Sequence, residues 1–273
     1  MDTLMRYEQI KPEAIHHYIT SPEWHMQQKL DGMRCRIFMP DGFVVNSNGE
    51  ALKSTTAGPG AREAAKALMT TATTNPFWVE GEVIGDKFYV FDMLLNNQYK
   101  RTWEERLKDM EAFFKYRFFT HIKVIPTATN TEDKLAMWEI IKANNLEGAI
   151  LKHVRSLVMD GGRVKDMLKC KLRYTADVVV VDKGPGNGRN GTGNWVEFGL
   201  YSFEGAKYLQ PVGRTSTIGK PFCNIGDVIE VEYLYAGAGN KLVQPTHLRN
   251  RPDKEPRQCT FSQLHFVNKT VML

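Results

Sequence analysis

Helical periodicity in this chain stops near Tyr174–Ala176 and does not return. Before that boundary, "REAAKALMTT", "TWEERLKDMEAFFKYRF" and "TEDKLAMWEIIKANN" carry apolar residues at helical spacing. Strand-like runs lie among them: "MRCRIFM", "FWVEGEVIG", "KFYVFDMLL", "GAILKH" and "MLKCKL". After the boundary, "ADVVVVD", "WVEFGLYSF", "KYLQPVG", "DVIEVEYLYA" and "LVQPTHLRN" read as five strands with turn residues between them. A chain of 273 residues is long enough for two domains. The pattern predicts an α+β domain over 1–174, then an all-β domain over 175–273. Five short strands suit a small barrel of the OB type; a fragment of a sandwich has the same count.

The third helix is expected to start on Thr131 as its N-cap, to stop at Asn144–Asn145 and to bury Leu135, Trp138 and Ile141 on one face. Four cysteines, Cys35, Cys170, Cys223 and Cys259, lie far apart without metal-site spacing, which predicts reduced thiols. No apolar signal core or membrane-length run occurs, so the expected location is cytoplasmic (host cytoplasm if the chain is viral) and no membrane is expected as partner. The formal charge of +5 gives a mild bias toward a polyanionic partner.

"QQKLDGMRCRIF", residues 27–38, departs from ordinary strand composition by placing three charges around a glycine. Residues two apart on a strand share a face, so Lys29 and Asp31 point together. Gly32 permits a bend that returns Arg34 to the same pocket. In isolation the stretch also fits a hairpin with a surface ion pair.

The rest of the chain favours the pocket. "KLDGMR" resembles motif I of the covalent nucleotidyltransferases, the superfamily of ATP-dependent DNA ligases, RNA ligases and mRNA capping enzymes. "EGEVIG" is similar to their motif III and "FYVFDML" to the aromatic motif after it. "LEGAILK" resembles motif IV, "MLKCK" motif V, and "RPDK" at 251–254 the RxDK motif of the OB domain. Six motifs in family order span nearly the whole chain.

The resemblance implies an adenylation domain with antiparallel sheets and flanking helices followed by an all-β OB-fold barrel, in a minimal ATP-dependent DNA ligase acting on nicked duplex DNA as a monomer. It implies ATP as cofactor with Mg²⁺, for which Mn²⁺ substitutes. Lys29 takes the role of nucleophile. A lysine attacks only as a free amine, and its ordinary pKa is ~10.4, so neighbouring cations (Lys169, Lys171, Arg34 and a metal) are expected to favour deprotonation. By the same resemblance Glu82 and Glu147 serve metal and ribose, and Phe91 stacks on the base. Lys169 and Lys171 hold phosphates, and Arg34 holds ribose or strand phosphate. Arg251, Asp253 and Lys254 act on the departing pyrophosphate. Glu80 is expected to share a strand face with Glu82.

Ligases usually carry a Ser-Arg pair after motif I, but in "VVNSNGEAL" Ser47 stands where the arginine is expected; either the alignment slips, or Lys53, Arg62 or another base takes its place. Arg189, in the glycine-rich loop 183–194, and Arg214 are further candidates to contact DNA. The loop is no P-loop, since its lysine precedes the glycines. The alternatives are a capping guanylyltransferase using GTP, an RNA ligase, and a nucleic-acid-binding OB protein with an inert first domain.

Overall fold

The computed structural model describes residues 4–53, 56–70, 76–96, 98–159, 161–186, 193–267 and 271–272. In chain order the elements are β1 (Arg6–Ile10), α1 (Ile15–Thr20), β2 (Trp24–Lys29), β3 (Met33–Phe38), β4 (Phe43–Asn46), α2 (Gly58–Thr70), β5 (Pro76–Ile84) and β6 (Lys87–Leu95). Then come α3 (Trp103–Phe114), β7 (Ile122–Val124), β8 (Thr127–Ala128), α4 (Thr131–Ala143), β9 (Gly148–His153) and β10 (Arg163–Lys171). Among the described residues that follow there are only strands and short 3-10 turns: β11 (Tyr174–Gly186), β12 (Gly193–Tyr201), β13 (Leu209–Ser216), β14 (Val228–Tyr233) and β15 (Thr246–Asn250). The chain divides into two compact units, Met1–Lys171 with Lys269–Leu273, and Leu172–Asn268.

The first unit holds two five-stranded sheets, ordered β1-β10-β9-β2-β8 and β4-β3-β5-β6-β7. Pairing is antiparallel except for β1 with β10 and β6 with β7. The chain crosses from the first sheet to the second through Leu30, Asp31 and Gly32, so motif I is a sheet-to-sheet crossing and not a hairpin. A Cβ on Gly32 would stand 2.4 Å from the Val83 carbonyl oxygen, so the glycine is required by close approach to β5.

Small residues set the packing of α2 on the second sheet. Ala61, Ala64 and Ala65 enter the core with Ile37, Val79, Phe88 and Met93, and α3 adds Trp103, Leu107, Met110 and Phe113. A capping box starts α3: Thr102 Oγ1 accepts from the Glu105 amide at 3.4 Å, and Glu105 Oε2 accepts from the Thr102 amide at 2.8 Å. Such a cap contributes about 1 kcal/mol.

Two expectations for α4 are corrected. Its N-cap is Asn130, whose Oδ1 accepts from the Asp133 amide at 2.9 Å, and Thr131 is already helical. Its buried face carries Lys134 with Trp138 and Ile141, while Leu135 is exposed. Lys134 Nζ donates to the carbonyls of Ser21 at 2.6 Å and Trp24 at 2.8 Å, and to that of Tyr18. The end of α1 leaves carbonyls without helical partners, and a long cation satisfies them where leucine could not.

The second unit is one antiparallel sheet in the order β13-β12-β11-β14-β15, with Val178, Val196, Phe198, Val212, Ile229, Val231 and Tyr233 in its core. Among the described residues β13 and β15 do not pair with each other as strands. Instead the Leu242 amide donates to the Val212 carbonyl at 2.7 Å, and Thr215 Oγ1 donates to the Pro245 carbonyl at 2.9 Å. Those two bonds join β13 to the segment leading into β15. All four cysteines are buried and free, and no described helix is long and apolar enough to cross a membrane.

Candidate active site

In the first unit, Lys29, Arg34, Glu82, Phe91, Lys169 and Lys171 line one cavity of about 290 Å³, although they come from five different strands. Pairing explains the convergence. Gly148 stands opposite Lys29 in β2 and opposite Lys171 in β10. The preceding Glu147 therefore lies between the two lysines. Gly148 has φ of +145°, and a Cβ there would meet the Cys170 carbonyl oxygen at 2.0 Å, so no other residue could hold this position.

Glu147 Oε2 takes the Lys29 ammonium at 2.7 Å, and Oε1 takes Lys171 at 3.2 Å. Lys29 also donates to the Leu30 carbonyl at 3.2 Å. The sequence predicted a lysine surrounded by cations. Its nearest charged neighbour is instead a carboxylate, with the second cation on the carboxylate's far side. Two partly buried ammonium groups need an anionic acceptor, and one carboxylate with two oxygens serves both.

Phe91 reaches the cavity through a β-bulge. Glu80 pairs with Asp92 and Gly81 with Val90, which leaves Phe91 as the extra residue on β6. A bulge turns a side chain out of the strand's alternation and frees its carbonyl from the ladder. Two side chains satisfy that carbonyl: Lys152 Nζ at 2.7 Å and Gln27 Nε2 at 3.3 Å. Lys152 is almost fully buried, 3.7 Å from Asp92 and 3.8 Å from the Trp103 ring centroid. Burial pushes its pKa down to about 8. Arg106, also fully buried, completes the cluster with Nε 2.9 Å from Asp92 Oδ1.

Glu82 and Glu80 have separate tasks. Glu82 lines the cavity and accepts from the Gly32 amide at 3.2 Å; burial pushes its pKa up to about 7 against the pull of Lys29 and Arg34. Glu80 is not among the lining residues. It is buried between two arginines, with its Oε1 accepting from Arg34 Nε at 2.6 Å and its Oε2 from Arg36 Nη2 at 2.7 Å. Burial raises its pKa, yet the two guanidinium groups outweigh this and hold it below the usual carboxylate range. Arg34 also donates to the Met5 carbonyl at 2.8 Å and lies 4.6 Å over the Tyr7 ring.

Gln27, Ile125, Ile150, Arg6 and Tyr7 line the cavity as well, and none was singled out from sequence. Gln27 sits two residues before Lys29, so strand alternation alone could have found it. Its Oε1 is buried without a hydrogen-bond partner among the described residues.

The other sequence candidates lie elsewhere. Arg251 Nη1 is 2.9 Å from Asp177 Oδ1, Arg251 pairs with Asp253 at 3.0 Å, and Lys254 is 3.7 Å from Asp177, all in the second unit. Arg214 covers the Trp195 ring at 3.7 Å. Lys53 is exposed, and Arg62 is paired with Glu63 at 3.3 Å. Arg189 falls outside the described residues.

A partly buried lysine held by a carboxylate, in a cavity with a second carboxylate, further lysines and a bulged aromatic, defines a covalent nucleotidyltransferase. A model of the RNA ligase family matches residues 22–171, more than half of the chain, and the chain belongs to that family. It is a polynucleotide ligase. Among curated proteins no sequence matches. Among solved structures, a Lig E DNA ligase matches 92% of this chain and 100% of its own at 16% identity, with a TM-score of 0.62. Pmar-Lig matches 92% of this chain and 67% of its own at 15% identity and a TM-score of 0.68. A mycobacterial DNA ligase D complexed with ATP matches 93% of this chain and 96% of its own at 18% identity and a TM-score of 0.52. At these identities the likeness is one of fold.

Proposed function

We propose that this chain is an ATP-dependent DNA ligase that seals nicks in duplex DNA. Its first unit is read as the adenylation domain and its second as an OB-fold domain. The observation that carries the reading is the single cavity in which Lys29 meets Glu82, Phe91, Lys169 and Lys171, with Glu147 bound to Lys29 behind it. Lys29 Nζ attacks the α-phosphate of ATP; an N–P bond forms, the P–O bond to pyrophosphate breaks, and the amine proton is lost. The 5′-phosphate at a nick then displaces Lys29 and takes the AMP. Attack by the 3′-hydroxyl forms the phosphodiester and releases AMP. Lys169 and Lys171 neutralise the phosphates, and catalysis rests mainly on position and charge.

Adenine suits the cavity better than guanine. The unpartnered Gln27 Oε1 is an acceptor; adenine offers an amino donor at its 6-position, where guanine offers another acceptor. Ile125, Ile150 and Phe91 supply apolar walls for the base.

Mg²⁺ fits the donor set. The ion typically binds through one or two carboxylates, with waters and substrate phosphates filling the rest of its shell. Glu82, on the cavity wall, is one such carboxylate; Glu147, whose two oxygens hold Lys29 and Lys171, would serve as the second by giving up one ammonium. The upward shift of Glu82 marks a buried carboxyl without full counter-charge. When bound, the metal would offset triphosphate charge.

The likeness to Lig E and to the ATP-bound ligase D supports this reading, while the RNA ligase family model supports a second one, sealing of RNA ends. One experiment separates them: the full chain is given labelled ATP or GTP, then nicked duplexes with DNA or RNA strands. Label transfer from ATP and joining of DNA support the first reading. Joining of RNA alone, or transfer from GTP alone, overturns it.

A further inference from the structure

The second unit contains a cleft of about 520 Å³ that the adenylation chemistry does not use. It runs between β11, β12 and the connection from β13 to β14, and Lys183, Trp195, Lys220 and Phe222 line it. Phe222 is the unusual member: 76% of its surface is exposed. Its backbone is fixed, since Asn250 Nδ2 donates to the Phe222 carbonyl at 2.7 Å. Lys183 Nζ lies 4.8 Å from the ring centroid on one side. A large aromatic held open to solvent beside a cation, on the wall of a cleft, offers a stacking face.

Trp195 forms a wall of the cleft. Its Nε1 donates to the Pro185 carbonyl at 3.0 Å, and the Arg214 guanidinium covers its ring at 3.7 Å. Gly184 lies against the same ring, where a Cβ would be 2.7 Å from it. Phe222 is therefore the aromatic that offers a free face. The described residues lining the cleft include two lysines and no carboxylate.

We propose that this cleft takes one unpaired base of the polynucleotide substrate, stacked on Phe222, with the adjoining phosphate toward Lys183 and Lys220. Charge complementarity selects that occupant. Lys183 Nζ donates to Asn224 Oδ1 at 3.2 Å, a neutral partner, so an apolar protein surface would still bury two cations without counter-charge, and an acidic peptide would leave the aromatic face unused. The proposal rests on the polynucleotide reading above and refines it: strands with an unpaired nucleotide should bind better than uninterrupted duplex.

The test uses the full chain, a single-stranded oligodeoxynucleotide of about 12 residues, and a duplex of the same length, with binding followed by fluorescence anisotropy. Phe222→Ala should weaken single-strand binding about tenfold, and Phe222→Trp should restore it. Lys220→Ala should lower the salt slope by about one. Transfer of AMP from ATP to the protein should be unchanged in all three. Wild-type affinity for both oligonucleotides in Phe222→Ala, or equal losses for single strand and duplex, would overturn the proposal. If the wild type joins nicks while Phe222→Ala binds normally, the cleft assignment alone falls. If the wild type is adenylated but neither binds nor joins any strand, the polynucleotide reading falls with it.

Discussion

The Lys29 ammonium and the Glu147 carboxylate meet at 2.7 Å, and the second oxygen of the same carboxylate holds Lys171 at 3.2 Å. One anion thus orients two ammonium groups together, the proposed nucleophile and a proposed phosphate-binding cation. Lys29→Ala should form no acid-labile AMP adduct. Lys29→Arg should form none either, because a guanidinium does not yield a free nucleophile. Glu147→Gln keeps the shape but loses the charge that aligns both lysines, and adduct formation should slow by about 10²-fold or more. Intact mass after incubation with ATP and Mg²⁺ measures each outcome, and an adduct in Lys29→Ala would refute the assignment.

Lys152 holds the bulged Phe91 carbonyl from a site shut off from solvent, and burial lowers its pKa from 10.5 to about 8. The sign of the resulting pH dependence follows from proton counting. Between those two values the unfolded chain binds a proton that the folded chain sheds. Stability from this residue therefore rises with pH across the window and is lost as pH falls through it. Lys152→Met should flatten that part of the urea midpoint against pH. The same variant leaves the carbonyl with Gln27 alone, so the KM for ATP should rise more than kcat falls. An unchanged slope would show that Lys152 carries its proton equally in both states.

Neighbouring charges respond differently. Asp92→Leu would leave Arg106 buried without its carboxylate, at a cost of about 3–5 kcal/mol, whereas combining it with Arg106→Met should cost less than either single change. Urea denaturation of the three variants decides it. A double variant as unstable as the sum of its parts would argue that the two groups act independently.

The ordered motifs, read through the family resemblance, selected Lys29, Glu82, Lys169 and Lys171 for one pocket, and strand alternation alone put only Lys169 and Lys171 on a common face. The loss of helical periodicity near Tyr174–Ala176 falls a few residues after Leu172, where the second compact unit begins. What stayed hidden came from distant partners. Tyr7 reaches the cavity because β1 pairs in parallel with β10, far along the chain, and no local pattern announces such a pairing. The Phe91 bulge depends on Lys152 and Gln27 from other strands. Lys134 displaced Leu135 from the buried face of α4 because the end of α1 required a donor there, and helical periodicity counts only apolar residues. Glu80 and Glu82 look alike in the sequence, but Arg34 and Arg36 enclose only one of them.

Arg251 is held by Asp177 at 2.9 Å and by Asp253 at 3.0 Å. If it acts on departing pyrophosphate, it matters only when ATP is consumed. Arg251→Ala should slow adduct formation by about 10²-fold while sealing of a pre-adenylated nick changes little. Rates of the two steps, measured separately, provide the check. Equal losses would assign Arg251 to the fold of the second unit or to DNA binding.

His247 is buried in the second unit, with Nε2 3.1 Å from Asn250 Oδ1 and Nδ1 without a partner among the described residues. Burial pushes its pKa below the ordinary 6.5, outweighing the hydrogen bond to Asn250. As pH falls through 6.5, the unfolded chain gains a proton that the folded chain refuses. The stability present above that pH is therefore lost progressively with acidification. His247→Gln removes the titrating group and retains an amide for Asn250. Wild type and variant should differ in urea midpoint at neutral pH and converge as pH falls from about 7 to about 5. His25, also shifted downward by burial, titrates in both proteins and cancels in the comparison. Parallel midpoints across the range would mean that His247 accepts its proton as readily in the folded chain as in the unfolded one.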